Sequence, residues 1–276
     1  MISKRNDTVF ILSQFFSALM FAIPIWIVFY EQRINTVQIS LLVAIQYASQ
    51  LLLELPTGAF ADLIGRKWST VAGYFVWAAA VVLILTSHGF FQLLVAVIVF
   101  GLGDALVSGA LEALVYDSHK QDGLVDTFRH VRARNSFWYQ IALVIAVTTG
   151  GFLYGIWYGL PYVAWAVVSV IAGIIALFFV EPKIYTERFT LRRYVTQMKR
   201  GTQEAFKSKN VALMSIFYIA VSGITWTNNN YFFDFILVEL GFTDAVRGLI
   251  MGGVRLFNVF VLAALLKNDH LFTRKR

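Results

Sequence analysis

The sequence predicts an all-α polytopic membrane protein of about eight transmembrane helices. Three observations carry that prediction: an apolar composition, apolar runs of bilayer length, and basic residues confined to alternate connections. The chain of 276 residues is 58% hydrophobic, 16% aromatic and only 14% charged, with a mean hydropathy of +0.68. Soluble domains run about 45–50% apolar and about 25% charged, so a water-soluble globule is excluded. The chain has no cysteine, which removes disulfide frameworks, iron–sulfur sites and thiol chemistry. His88, His119, His130 and His270 are scattered without metal-ligand spacing, so neither a metal site nor a cofactor is expected.

Crossing the hydrocarbon takes about 20 apolar residues per helix. That ruler gives spans at 8–30, 39–59, 69–87, 90–116, 136–158, 161–180, 211–238 and 247–266. The first run follows Lys4-Arg5, as in a signal peptide. Its apolar stretch is longer than a signal core and no small-residue cleavage site precedes the second run, so an uncleaved first helix is expected. Within it, Gln14 and Ser17 precede Pro24, a site for a kink. The second span carries Gln46, Gln50 and Glu54 at four-residue intervals. Short links at Ser87-His88-Gly89 and around Gly159-Leu160-Pro161 make the third and fourth spans, and the fifth and sixth, antiparallel neighbours. At the end of the fifth span and into the link after it, Gly151, Gly155 and Gly159 have the small-xxx-small spacing of close helix packing.

The net charge of +7 would suit nucleic acid if it were clustered on one soluble face, but here it alternates with the spans. Of the 23 lysines and arginines, Arg33 and Arg247 lie on one side and Arg255 inside the eighth span, with all the others on the opposite side. Cationic connections stay in the cytoplasm, so both termini are expected there, in a multi-pass cell-membrane protein whose partner is the lipid bilayer and not nucleic acid. The longest connection, 183–210, interleaves Leu191, Tyr194, Val195, Met198 and Phe206 with Arg192, Arg193, Lys199, Arg200 and Lys207. That pattern reads as a basic amphipathic helix on the membrane surface. It divides the chain into a six-helix bundle at 1–182, the linker at 183–210 and two further helices at 211–276.

Ionisable groups at membrane depth are costly unless paired or hydrated, which makes them functional candidates. Asp104, Ser108 and Glu112 recur every four residues on one face of the fourth span, with Asp104 deepest, about 21 Å along it. The alternative for each carboxyl is a protonated structural hydrogen bond to a neighbouring helix. The seventh span carries Thr225, Thr227, Asn228, Asn229, Asn230 and Asp234; polar backbone at this depth is tolerated where it is buried or lines water. Arg255 and Asp234 fall at comparable depth in antiparallel spans, where an ion pair or a shared solute-binding charge is expected.

The second span ends on Glu54-Leu-Pro56-Thr57-Gly58, and Asp62, Gly65, Arg66 and Lys67 follow before the third. This stretch resembles the cytoplasmic signature loop of the major facilitator superfamily, although Leu63 stands where a basic residue is usual. Gly101-Leu-Gly103-Asp104 resembles a second family signature, with Val97 in place of its arginine, and Gly150-Gly151 ends a third in which Ala146-Val147 replace Gly-Pro. The resemblance implies a major facilitator-type helical bundle whose halves rock around a midplane site. It also implies a gating role for Gly58, Asp62, Gly65, Arg66 and Lys67, and a central cavity faced by the first, fourth and seventh helices. Gln14, Asp104, Glu112, Asn228, Asp234 and Arg255 are the candidate substrate and cavity residues. Relative to the family plan four closing helices are missing, so the expectation includes a complementing polypeptide or a truncated chain that transports nothing alone.

The functional expectation is therefore no enzyme but a secondary transporter of a small organic solute; efflux is the family's commoner use, the direction and the coupling ion stay open, and Asp104 and Glu112 are the candidate proton carriers. No phosphate-cradling glycine loop ending in Lys-Ser/Thr is present, which argues against direct ATP drive. An intramembrane hydrolase has no His-rich, Ser/His or paired-Asp arrangement behind it.

Overall fold

Among the described residues every regular element of the computed structural model is helical, which leaves no backbone edge to satisfy inside lipid. The structure describes residues 1–183, 206–227 and 233–267, with positions 192, 196, 199 and 203 between them. The elements are α1 (Ile2–Ser17), α2 (Trp26–Glu31), α3 (Thr36–Ile64), α4 (Arg66–Leu85), α5 (Phe90–Gln121), a 3-10 turn (Val125–Thr127), α6 (Phe128–Ile156), α7 (Leu160–Ala176), α8 (Lys209–Thr227), α9 (Phe233–Glu239) and α10 (Asp244–Lys267). Four of these, namely α3, α4, α5 and α6 with its preceding turn, are long and apolar enough to cross a membrane, and α7 is a shorter apolar helix. Together they form an all-α polytopic membrane bundle.

The helices begin and end for local reasons. Asn35 opens α3 with a capping box: its Oδ1 accepts from the Gln38 amide at 2.9 Å while Gln38 Oε1 accepts from the Asn35 amide at 3.1 Å. Pro56 sits inside α3, and the neighbouring Thr57 hydroxyl, bonded to the carbonyls of Leu53 and of Ala105 on α5, helps hold that turn. A hydroxyl in this role is a usual remedy for proline in a membrane helix. Gly65 stands between α3 and α4 at φ 98°, ψ 147°, a region that side chains strongly disfavour.

The predicted first span is not one helix. It ends at Ser17 and resumes at Trp26, so the interruption begins well before Pro24. Residues 18–25 are bridged by short-range bonds, among them Leu19 N–H to the Phe16 carbonyl, Ile23 to Met20 and Ile25 to Ala22. Ala18, Ala22 and Ile25 are fully buried there. Gly150 of α6 permits this: a Cβ at that position would collide with the Phe21 carbonyl oxygen and touch Pro24 Cγ at 3.1 Å. The buried Arg247 of α10 donates from Nε to the Pro24 carbonyl at 3.3 Å and pairs with Asp244.

The chain divides into two compact units, one comprising Met1–Thr186 with Asp244–Arg276, the other Glu187–Thr243. In the first, α5 lies against both α3 and α4, and α6 lies against α10. Gly73 and Gly103 bring α4 and α5 together, and Gly101 faces the α3 backbone at Gln46 and Gln50. After its tight turn, α7 packs on α4 and α1 more than on its chain neighbour α6, a correction to the pairing expected from loop length. The core joins Phe10, Tyr74, Leu111, Leu114, Val131, Ala172 and Phe179 from five helices and the end of α7. The second unit contains α8 and α9. Helix α9 closes on Gly241 at φ 74°, with Phe242 N–H bonded back to the Leu237 carbonyl at 3.3 Å. The predicted linker helix at 183–210 lies largely outside the described residues, as does the 228–232 stretch that separates the two helices of the predicted seventh span.

Because the Phe21 carbonyl cannot move without opening the break, Gly150→Val is expected to lower stability by about 1–3 kcal/mol through overpacking. Gly155→Val, where a Cβ meets open space, serves as control. Thermal unfolding in detergent micelles reads the difference.

Candidate functional site

At 1.5 Å per residue, α5 is about 48 Å long, far more than the roughly 30 Å hydrocarbon layer. Its last turns carry Asp117, Ser118 and His119, beyond the apolar run that predicted the span. These groups join a polar layer that gathers the start of α1, the α3–α4 turn, the end of α5 and the end of α7 at one end of the first unit. Asn6 donates from Nδ2 to Ser118 Oγ at 2.6 Å and to the Val180 carbonyl at 2.8 Å, and accepts from the Val180 amide at 2.9 Å. Ser3 donates from its amide and hydroxyl to Asp122. His119 is buried, with Nε2 2.8 Å from Asp7 Oδ1 and Nδ1 2.9 Å from Thr127 Oγ1 and 3.1 Å from the Leu124 carbonyl.

Glu181 performs the least expected task. Its Oε1 and Oε2 accept from the amides of Arg66 at 2.9 Å and Lys67 at 2.8 Å, capping α4 from the far end of α7. The first amides of a helix lack intrahelical partners and carry partial positive charge, so the carboxylate suits both. Arg66 in turn forms an ion pair with Asp117 on α5. Together with the exposed Asp62, Gly65 and Pro182, these groups line a small polar cavity of about 80 Å³. Lys67 lies over the Trp68 ring at 5.2 Å. Arg66 and Lys67 therefore share an end with Lys4, Lys120 and Lys183, as the charge pattern predicts. Arg33 lies at the other end, donating to the Ser87 carbonyl at 2.9 Å.

A second group lies within the bundle. Asp104, near the middle of α5, is half-buried beside Trp77 of α4, and Trp77 stacks on Phe100. Tyr139 of α6 is within electrostatic reach of both Asp104 and Arg255 of α10. The contacts of Gly151 with Asp244 and of Gly248 with Val147 run antiparallel, a register that carries Arg255 to the level of Tyr139. On α1, Ser17 donates to Gln14 Oε1 at 3.3 Å, and the Tyr74 hydroxyl faces Ser13 and Ser17. Gln140 Oε1 and Asn135 Oδ1 on α6 are buried acceptors without a hydrogen-bond partner among the described residues.

The candidate residues thus separate. Asp104 and Arg255 both lie within reach of Tyr139 in the first unit, and Gln14 stands beside Ser17 on α1. Ser108 and Glu112 share the more open face of α5 with Asp104, but Glu112 is half-exposed and pairs with Arg132 of α6 at 3.3 Å. Asp234 is buried on α9 in the second unit, and Asn228 lies outside the described residues. Gly58 is half-buried in α3. Sequence reasoning missed Tyr139, whose signal was its four-residue spacing from Asn135, where α6 passes from its basic start to its apolar run. It also missed Glu181, an acid placed where a helix end favours cations. Among the described residues no group of three His, Asp or Glu side chains converges to hold a metal.

The sequence profile described as Major Facilitator Superfamily matches residues 8–275. The chain belongs to this superfamily. A curated relative from Bacillus subtilis (strain 168), the uncharacterized MFS-type transporter YxaM, is 26% identical over 259 residues, covering 88% of this chain and 60% of the relative. The chain thus spans about three-fifths of the length of that curated relative. The Gly58–Lys67 stretch is built into the polar layer through Glu181 and Asp117.

Two outcomes test this end of the molecule. Gly65→Ala is expected to cost about 1–3 kcal/mol, because alanine must adopt positive φ with its Cβ 3.2 Å from the Glu181 carboxylate; Gly89→Ala, extended and open, should be neutral in the same melt. The Ser3 hydroxyl and amide hold the Asp122 carboxyl below the usual carboxylate range. Its folded value lies below its unfolded value of about 3.9, so its contribution is present above that pH and lost as pH falls through the folded value. Asp122→Asn should therefore lower the melting temperature at neutral and alkaline pH by a constant amount and remove part of the acid-side fall.

Proposed function

We propose that this protein carries a small organic solute across the cell membrane by alternating access, without catalysing a chemical conversion of it. The carrying observation is that an acid on α5 and a base on α10 both lie within reach of one tyrosine on α6. Charges at membrane depth are costly unless they serve a pathway or a partner, and Arg255 forms no ion pair among the described residues. In this reading Asp104 binds the coupling proton, Arg255 and Tyr139 contact the solute, and Gln14, Gln140 and Asn135 supply neutral hydrogen bonds. Glu112 is the weaker proton carrier, since Arg132 already neutralises it at an exposed position.

The Gly58–Lys67 loop acts as the gate in this proposal. Gly65 lets the chain turn, Arg66 ties the turn to α5, and Glu181 ties it to the end of α7, so these helices move as one body when the bundle rocks. Asp62 remains exposed for a contact made in only one of the two states. Both termini face the cytoplasm in this reading, and efflux is the proposed direction. The division into a six-helix part at 1–182, a linker at 183–210 and further helices at 211–276 is kept in this reading, and Asn228 and Asp234 count among the solute-binding candidates.

The test is transport by cells or proteoliposomes across a panel of small organic solutes. Asp104→Asn should reduce coupled transport by tenfold or more, about 1.4 kcal/mol, at unchanged membrane level. Wild-type transport by that variant would overturn the assignment. Activity that appears only on co-expression with further family helices would show that the path requires a second polypeptide.

A further inference from the structure

We propose that the groove between α1 and α6 is a binding site for an anionic phospholipid. Thr8, Ile11, Leu12 and Phe15 from α1 and Arg134 and Trp138 from α6 line this groove, whose volume is about 430 Å³. Helices α1 and α6 start at the same end of the bundle, as the Ser3–Asp122 and His119–Asp7–Thr127 bonds fix. Polar and apolar groups are therefore graded along the groove. Thr8 and Arg134 lie about 9 Å from their helix starts, whereas Trp138 and Phe15 lie about 15 and 20 Å along. The Trp138 and Phe15 rings meet edge-on at 6.5 Å and close the deep end.

Charge identifies the occupant. Arg134 makes no hydrogen bond or ion pair among the described residues, and it stands one helical turn from Trp138 on the same face. Lys4, exposed and one helical turn before Thr8 on α1, is a second cation near the mouth. A guanidinium presents a planar fork of donors to phosphate oxygens, and basic pockets between transmembrane helices recognise anionic headgroups. The depth gradient then matches one molecule: phosphate at Arg134 and Lys4, with the upper part of an acyl chain along Ile11, Leu12, Trp138 and Phe15. A free inorganic anion would use the cations and leave the apolar floor without a role; a neutral lipid would do the reverse.

Native mass spectrometry of the purified full chain tests this, with phosphatidylglycerol, phosphatidylcholine and inorganic phosphate added separately. Wild type is expected to retain phosphatidylglycerol about five-fold better than phosphatidylcholine, the preference that one surface cation confers. Arg134→Gln should bring the two lipids to parity, and Arg134→Lys should keep most of the preference and so control for folding. Trp138→Ala should weaken both lipids alike. Equal retention of the two lipids by wild type, or an undiminished preference in Arg134→Gln, overturns the proposal. Displacement of bound phosphatidylglycerol by inorganic phosphate alone would overturn it too, by reducing the site to a simple anion contact.

Discussion

Inside a bilayer no solvent takes up a free N–H or C=O group, so any interruption of a helix must be closed by the protein itself. The break between α1 and α2 obeys that constraint and organises its surroundings. Its carbonyls turn sideways at Phe21 and Pro24, and each needs a particular neighbour: the bare backbone of Gly150 for the first, the guanidinium of Arg247 for the second. Those needs fix how α6 and the start of α10 approach α1. The glycines at 248 and 252 then let α10 lie close against α6, with Gly252 meeting Thr148. One irregular segment thus dictates three helix positions.

The polar end of the bundle answers the opposite condition. There the helices outrun the hydrocarbon and can use side chains to satisfy one another's termini. Because Glu181 caps α4 while Asn6 holds the Val180 backbone, the end of α7 is joined to both α4 and α1. That explains why α7 leaves its chain neighbour α6. The link after α6 is short enough to permit their packing, but the bonds that decide the arrangement are made at the far end of α7.

Much of this was legible in the sequence, and the unread part has a physical pattern. Apolar runs of bilayer length marked the helices because the hydrocarbon imposes its length directly on composition. Pro24 flagged the irregular first span, yet the break starts at Ala18, because its position depends on Gly150 more than a hundred residues later. Likewise the apolar run of α5 stops at residue 116 while the helix continues to Gln121; polar residues there face partners on α1, α4 and α6, which no window of hydropathy can see. Asp104 and Arg255 stood out as charges in apolar runs. Tyr139 did not, since a tyrosine among aromatics reads as packing until its neighbours are known.

That tyrosine also bears on how an acid and a base can share a membrane interior and stay useful. A directly bonded carboxylate–guanidinium pair satisfies itself; opening it leaves two desolvated charges, a large cost. Placing Tyr139 between reach of Asp104 and reach of Arg255 keeps the charges on separate helices and lets each respond to something else. The Tyr139 hydroxyl lies in the field of both charges, so a proton or a solute that alters either one changes what it faces. In the proposed mechanism this is the economical coupling: α5 and α10 need not touch for a change at Asp104 to be felt at Arg255.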